Sequence, residues 1–171
     1  NLKSLSRDRF ILSKGHGCLA QYVVLADKGF FDNKELLKFC QEDSILGGHP
    51  EYGKIPGIEA STGALGHGMP IGVGMALAAK LQKRKSRVAV IVGDGETNEG
   101  SIWEAAMSAA HYKLDNLVGI VDRNKIQQCG FTENILALGN YKQKWESFGW
   151  FVKEIDGHNM KDIDGCFKKI P

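Results

Sequence analysis

The stretch that decides the fold reads Arg87-Val88-Ala89-Val90-Ile91-Val92-Gly93-Asp94-Gly95-Glu96-Thr97-Asn98-Glu99-Gly100. Residues 87–92 are a continuous β-branched run of the kind that lies in the middle of a parallel sheet. Residues 99–113 follow as a helix with Ile102, Trp103, Ala106 and Ala110 on one face, and residues 117–121 form another buried strand. Strand, helix, strand at this spacing is a βαβ unit, which demands a parallel sheet with a right-handed crossover. The fold class is therefore α/β. Farther along, 142–148 reads as a short helix and 150–155 as a third strand of the series.

Upstream the pattern is looser. Between 17 and 28 the apolar residues Leu19, Tyr22, Val23 and Ala26 fall at helical spacing, and Gly29 is a stop. Asp32 or Asn33 caps a second helix through Gln41, with Leu36, Leu37 and Cys40 on its inner face. A turn-rich loop over 47–57 carries His49 and Glu51. Residues 63–82 read as a glycine-rich entry into a long helix whose small residues allow close packing, either within the domain or against a partner. The run Lys80, Lys83, Arg84, Lys85 and Arg87 caps that helix and is solvated.

Composition bounds the rest. The chain has 171 residues, 43% hydrophobic and 25% charged, with 21 Gly and 4 Pro, which is one globular domain and neither collagen, coiled coil nor low-complexity chain. A net charge of +2 gives no field to attract nucleic acid or an anionic membrane. The longest apolar runs are too short to span a bilayer, and no charged-then-apolar leader opens the chain. Cys18, Cys40, Cys129 and Cys166 show no C-x-x-C spacing and read as buried, reduced thiols of a cytoplasmic protein. The chain opens at Asn1 without methionine and stops at Pro171 where a strand is expected, so 1–171 reads as a single domain trimmed at both ends.

In open α/β sheets ligands sit beyond the carboxyl ends of the strands. The first such loop runs from Gly93 to Gly100 and the second from Asp122 to Ile126. If their strands are neighbours, Asp94 and Asn124 project from adjacent strand ends. A carboxylate and an amide oxygen, with a carbonyl and phosphate oxygens, suit octahedral Mg²⁺. Asp94, Glu96 and Glu99 have no Lys or Arg among them, so a phosphorylated ligand here needs an intervening cation. No Walker motif, no G-x-G-x-x-G and no EF-hand register is present. Taken alone, Gly93-Asp94-Gly95 reads as a tight turn with a capping aspartate; its place after a buried strand, joined to Asn124, sets the metal reading level with that one.

Gly93-Asp94-Gly95 with Asn124 thirty positions on resembles the thiamine-diphosphate signature. Around it stand Arg7-Asp8-Arg9-Phe10-Ile11-Leu12-Ser13-Lys14-Gly15-His16-Gly17, Gly48-His49-Pro50-Glu51, Ser61-Thr62-Gly63-Ala64-Leu65-Gly66-His67-Gly68 and Asp156-Gly157-His158-Asn159. In that order they resemble the N-terminal, diphosphate-binding half of transketolases, particularly those whose halves are separate polypeptides. The resemblance implies a thiamine-diphosphate-binding fold of the diphosphate-domain type, a parallel sheet with helices on both faces. It implies Mg²⁺ held by Asp94, Asn124 and the Ile126 carbonyl, and thiamine diphosphate approached by His16, Gly63, Leu65, Gly95, Glu96 and Asn124. His16 and His49 would face the substrate, and Glu99 would communicate with a second active site across a dimer interface.

The implied reaction moves a two-carbon ketol unit from a ketose to an aldose, with the cofactor as electron sink. The pyrimidine-binding half, which carries the activating glutamate, has no room in this sequence. A partner subunit or domain and a homo-oligomer or heterotetramer are therefore expected. Plain readings stand beside these: Glu96 as a solvated turn residue, His111 and His158 as structural, Trp103 and Trp150 as core anchors. The rival functions are a related thiamine-diphosphate enzyme, such as a 1-deoxyxylulose-5-phosphate synthase or a carrier-loading two-carbon transferase, and a non-catalytic Mg²⁺-binding module.

Overall fold

A computed structural model describes residues 4–168; Asn1 and Pro171, on which the expectation of a trimmed chain turns, lie outside it. The elements are β1 (Arg9–Leu12), α1 (Cys18–Asp27), α2 (Gly68–Leu81), β2 (Val88–Gly93), α3 (Gly100–His111), β3 (Leu117–Asp122), β4 (Ile126–Gln127), β5 (Gly130–Phe131), α4 (Thr132–Ile135), α5 (Tyr141–Ser147) and α6 (Met160–Phe167). Short 3-10 turns occupy Gly15–Gly17, Asn33–Lys38 and Gly95–Asn98.

Strands β1, β2 and β3 form a parallel sheet in that order, with Arg9 opposite Val88, Val88 opposite Leu117 and Gly93 opposite Asp122. The strand-helix-strand unit expected from 87–121 is thus the centre of the fold. Strand β1 is an addition: its four residues are too few to show a period. Alternate residues Val88, Val90 and Val92 turn to one face and are buried with Ile11, Met69, Val73, Ala76, Ile102 and Ala106. Gly72 makes this contact possible, since a Cβ there would stand 2.4 Å from Val90 Cγ2. Gly74 meets nothing within 4 Å, so the small residues of α2 serve close packing at Gly72 and lie open at Gly74. A second cluster of Cys18, Tyr22, Leu46, Ile55 and Ile58 holds the 44–58 loop against α1.

Four local expectations are corrected. Helix α1 buries Tyr22 and Ala26, but Leu19 and Val23 are 52% and 54% exposed. The inward face is chosen by the Tyr22 hydroxyl, which is directed at the carbonyls of His49 (2.8 Å) and Gly47 (3.0 Å). The second helix is a 3-10 turn, capped by Asp32 as expected. Its three-residue period aligns Leu36 with Phe39 and leaves Leu37 and Cys40 outside. Among the described residues 150–155 pair with no strand, so the third strand expected there is not formed. Trp150 is anchored through its indole N–H to Ala106 O at 3.0 Å, while Phe151 is exposed. All four cysteines are free thiols, but only Cys18 is buried; Cys40 and Cys129 lie on exposed turns. Among the described residues no helix is long and apolar enough to cross a membrane.

Candidate functional site

Because the three strands are parallel, they leave the sheet at one rim, and each feeds a loop there. Asp94 follows β2 and is 2% exposed. Its N–H donates to Asp122 O at the end of β3 (3.1 Å), while its Oδ1 accepts Gly95 N–H (2.9 Å) and its Oδ2 accepts Lys125 N–H (2.8 Å). Thr97 doubles the hold, its hydroxyl donating to Asp94 O at 2.5 Å. Asn124 forms a local turn, its Oδ1 accepting Ile126 N–H at 2.9 Å, and both Asn124 and Ile126 are exposed. The bends carrying the three expected donors are therefore joined.

Their chemistry fits a hard, oxygen-loving cation. Among the described residues no three His, Cys, Asp or Glu side chains converge as a metal-holding group. The available set is one carboxylate, one amide and one carbonyl, which suits Mg²⁺ held largely by a ligand's oxygens. A carboxylate has about four lone-pair directions, so Asp94 keeps capacity beyond its two close N–H partners.

Glu96 is 2% exposed, which corrects its reading as a solvated turn residue. Its Oε1 accepts the Ser13 hydroxyl (2.5 Å) and Gly66 N–H (2.9 Å), and its Oε2 accepts Gly93 N–H (3.1 Å). One carboxylate thus ties the exit of β1, the segment before α2 and the end of β2. Gly95 lies under Gln127, where a Cβ would meet Gln127 Cβ and Oε1 at 2.7 Å.

The two histidines and Gly63 share the other side of the rim. Gly15, beside His16, packs so tightly that a Cβ would stand 2.8 Å from Gly63 N and Thr62 C. Gly63 has φ +141°, and a Cβ there would fall 2.8 Å from the His49 ring. Thr62 fixes this segment through its hydroxyl to Leu12 O (2.7 Å) and its N–H to Pro50 O (3.2 Å). His16, His49 and Leu65 are exposed. Glu99 is exposed at the start of α3, beside Gly66. His111 and Tyr112 meet edge-on at the end of α3, and His158 N–H is held by Asp156 in a surface turn.

Sequence reasoning assigns no role to three residues at this rim. Lys14 reaches over Gly93 to Asp122 Oδ2 at 2.7 Å. Ser13 meets Glu96, and Thr97 holds Asp94. Ser13 and Lys14 lie within the 7–17 motif, which could have drawn attention to them; Thr97 carries no signal apart from its position after Asp94.

Residues 1–170 match the family described as transketolase, thiamine diphosphate binding domain. The chain is 49% identical over 168 residues to an apulose-4-phosphate transketolase subunit of Phocaeicola vulgatus, covering 98% of this chain and 59% of that protein. It is 44% identical over 157 residues to the 6-deoxy-6-sulfo-D-fructose transketolase subunit SqwG of Clostridium sp., covering 92% and 57%. A crystal structure of transketolase from Pichia stipitis superposes with a TM-score of 0.93 at 35% identity, over 99% of this chain and 27% of that one. The chain thus spans a little over half the length of the curated relatives it matches. With three parallel strands delivering these loops to one rim, and with this similarity along nearly its whole length, the chain belongs to the transketolase family, as a thiamine diphosphate binding domain.

Proposed function

We propose that this chain supplies the diphosphate and metal half of a transketolase-type enzyme acting in the cytoplasm. The observation that carries the reading is the hydrogen bond that the N–H of Lys125, next to Asn124, donates to Asp94 Oδ2. Asp94 and Asn124 hold Mg²⁺ by side chain, and Ile126 by its carbonyl. Gly95, Gly63 and Leu65 offer backbone and small surfaces to the cofactor, and Asn124 serves both metal and cofactor. Glu96 serves the same ligand from behind, by fixing Gly66 and Gly93. When bound, thiamine diphosphate supplies the electron sink for breaking a carbon–carbon bond of a ketose.

His16 lies beside the cofactor's diphosphate and, with His49, faces the sugar. Both rings are exposed at the rim, and an imidazole offers one nitrogen to donate a hydrogen bond and one to accept. They hold and move protons at the substrate hydroxyls. Glu99, exposed at the start of α3, faces a second protomer and links two sites. The pyrimidine-binding half is a partner subunit or domain, assembled as a heterotetramer or homo-oligomer, in keeping with relatives named as transketolase subunits. Those relatives are named for a sugar phosphate and a sulfo-sugar. A ketose with an anionic group at its far end is therefore the proposed donor class.

Purified full chain, with and without its pyrimidine-binding partner, Mg²⁺ and thiamine diphosphate, is assayed for ketol transfer from phosphorylated and sulfonated ketoses. Turnover is expected only when all are present. Turnover by the lone chain, or turnover independent of Mg²⁺ and thiamine diphosphate, refutes the reading.

A further inference from the structure

Behind the two bends lies a box of aromatic rings. Trp103 stands 5.2 Å from Trp145 and 5.6 Å from Phe148, centroid to centroid; Tyr141 stands 6.3 Å from Trp103 and 6.4 Å from Trp145. The box touches the first bend directly, because Trp103 Nε1 donates to Thr97 O at 2.8 Å and Thr97 in turn grips Asp94.

Tyr141, 6% exposed, is the side of the box that meets the second bend. The Arg123 guanidinium lies over its ring, 5.5 Å from the centroid, with Glu133 and Glu154 each 3.9 Å away. Arg123 immediately precedes Asn124. Along this bend Asp122 is tied to Lys14, Lys125 N–H to Asp94, and Arg123 to the Tyr141 ring. The Tyr141 hydroxyl faces Thr97 and Trp145 but makes no hydrogen bond of ordinary geometry to either. The ring, rather than the hydroxyl, therefore carries the contact.

We propose that Tyr141 is a positioning residue for Asn124, acting through Arg123. The ring holds the guanidinium, and the guanidinium sets the bend from which Asn124 is presented beside Asp94. The proposal rests on the reading of Asp94 and Asn124 as cation ligands, and it extends the site to a residue 17 positions beyond Asn124. Without the contact the bend is free to leave its binding geometry, and the energy of a partly shielded cation over an aromatic face bounds the resulting loss of affinity at about tenfold.

The test titrates Mg²⁺, at fixed thiamine diphosphate, into the full chain assembled with its pyrimidine-binding partner, followed by calorimetry. Tyr141→Leu and Arg123→Gln are each expected to weaken Mg²⁺ binding about tenfold, and the double variant no further. Tyr141→Phe, which keeps the ring, stays within about twofold of the unaltered protein. A purely structural role predicts lost thermal stability with Mg²⁺ affinity unchanged, and that result overturns the proposal. So do losses that multiply in the double variant, which show the two residues acting independently. Should Tyr141→Leu fail to fold, Arg123→Gln on the protein's surface decides alone: unchanged affinity overturns the proposal. Asp94→Asn separates the two levels. If it binds Mg²⁺ as the unaltered protein does, the cation reading itself falls and takes the proposal with it. If it loses binding while Arg123→Gln does not, only the role of Tyr141 falls.

Discussion

The carboxylate of Asp94 accepts the backbone N–H of Lys125 at 2.8 Å, so a side chain leaving β2 holds the main chain leaving β3. The same side chain accepts Gly95 N–H at 2.9 Å. The two bends beside the candidate cation site are therefore braced before any ligand arrives, which lowers the ordering cost of binding.

Asp94→Asn keeps the shape but turns an amide NH₂ toward one of those two N–H donors. Hydrogen bonds to charged groups contribute about 1.5–3 kcal/mol, and an unpaired buried donor costs a similar amount. The variant is expected to lose about 2 kcal/mol in urea unfolding. Mg²⁺-dependent binding of thiamine diphosphate disappears at the same time. Unchanged unfolding with lost binding would show that Asp94 braces nothing.

Glu96 acts on the ligand only through the backbone it holds. Its carboxylate serves three donors from residues 13, 66 and 93, so Glu96→Gln must set an NH₂ against at least one of them. The expected cost is about 2–3 kcal/mol by chemical denaturation. Cofactor affinity falls as a consequence of the displaced Gly66 and Gly93. A residue that only touched ligand would lose affinity at constant stability, and the two measurements together distinguish these roles.

Tyr22 ties stability to alkaline pH. Burial pushes its phenol above the ordinary value of 10.0, and the neighbouring Cys18 thiol pushes it further. The folded chain thus keeps its proton where the unfolded chain releases it. Stability from this source is complete below about pH 10 and is lost as pH climbs toward the folded value. Unfolding free energies measured from pH 8 to 11 should fall more steeply in the unaltered protein than in Tyr22→Phe. Parallel curves would remove Tyr22 as the source. The phenylalanine variant also loses the bonds to the Gly47 and His49 carbonyls, so its plateau lies lower by about 1 kcal/mol.

The centre of this fold is legible because β2, α3 and β3 are long enough to show their periods, and a βαβ unit then fixes where its loops emerge. Asp94 and Asn124 follow from that geometry, and the motifs around His16, His49 and Gly63 point to the remaining loops. Strand β1 shows no period, since four residues with one outward-facing Phe10 do not alternate visibly. The burial of Glu96 is hidden because its three partners lie 83, 30 and 3 positions away. Nothing local to a glycine-rich turn announces a buried carboxylate. The face of α1 is misleading for a related reason. Leu19 and Val23 are as apolar as Tyr22, but only the tyrosine has carbonyls waiting for it in the 44–58 loop. The aromatic box joins residues 103, 141, 145 and 148 across two helices and the chain after them, a juxtaposition set by packing alone.

Lys14 and Asp122 supply a test with opposite signs. The ammonium bridges β1 to β3 at 2.7 Å, with the lysine side chain 13% exposed and the aspartate 48%. An ion pair with one half-exposed partner adds little stability, on the order of 1 kcal/mol or less. If the pair is only a strut, Lys14→Met and Asp122→Asn destabilise alike and leave thiamine diphosphate affinity unchanged. If the ammonium also faces an anionic ligand, the two diverge. Lys14→Met removes a positive charge from the rim and weakens binding, most strongly at low ionic strength, where charges are least screened. Asp122→Asn frees the ammonium from its partner and strengthens binding or leaves it intact. The second outcome is expected, because Asp94, Glu96 and Glu99 crowd the neighbouring loop with negative charge and Lys14 is the cation packed against Gly93. Titrations of thiamine diphosphate with saturating Mg²⁺, at two salt concentrations, read the sign directly.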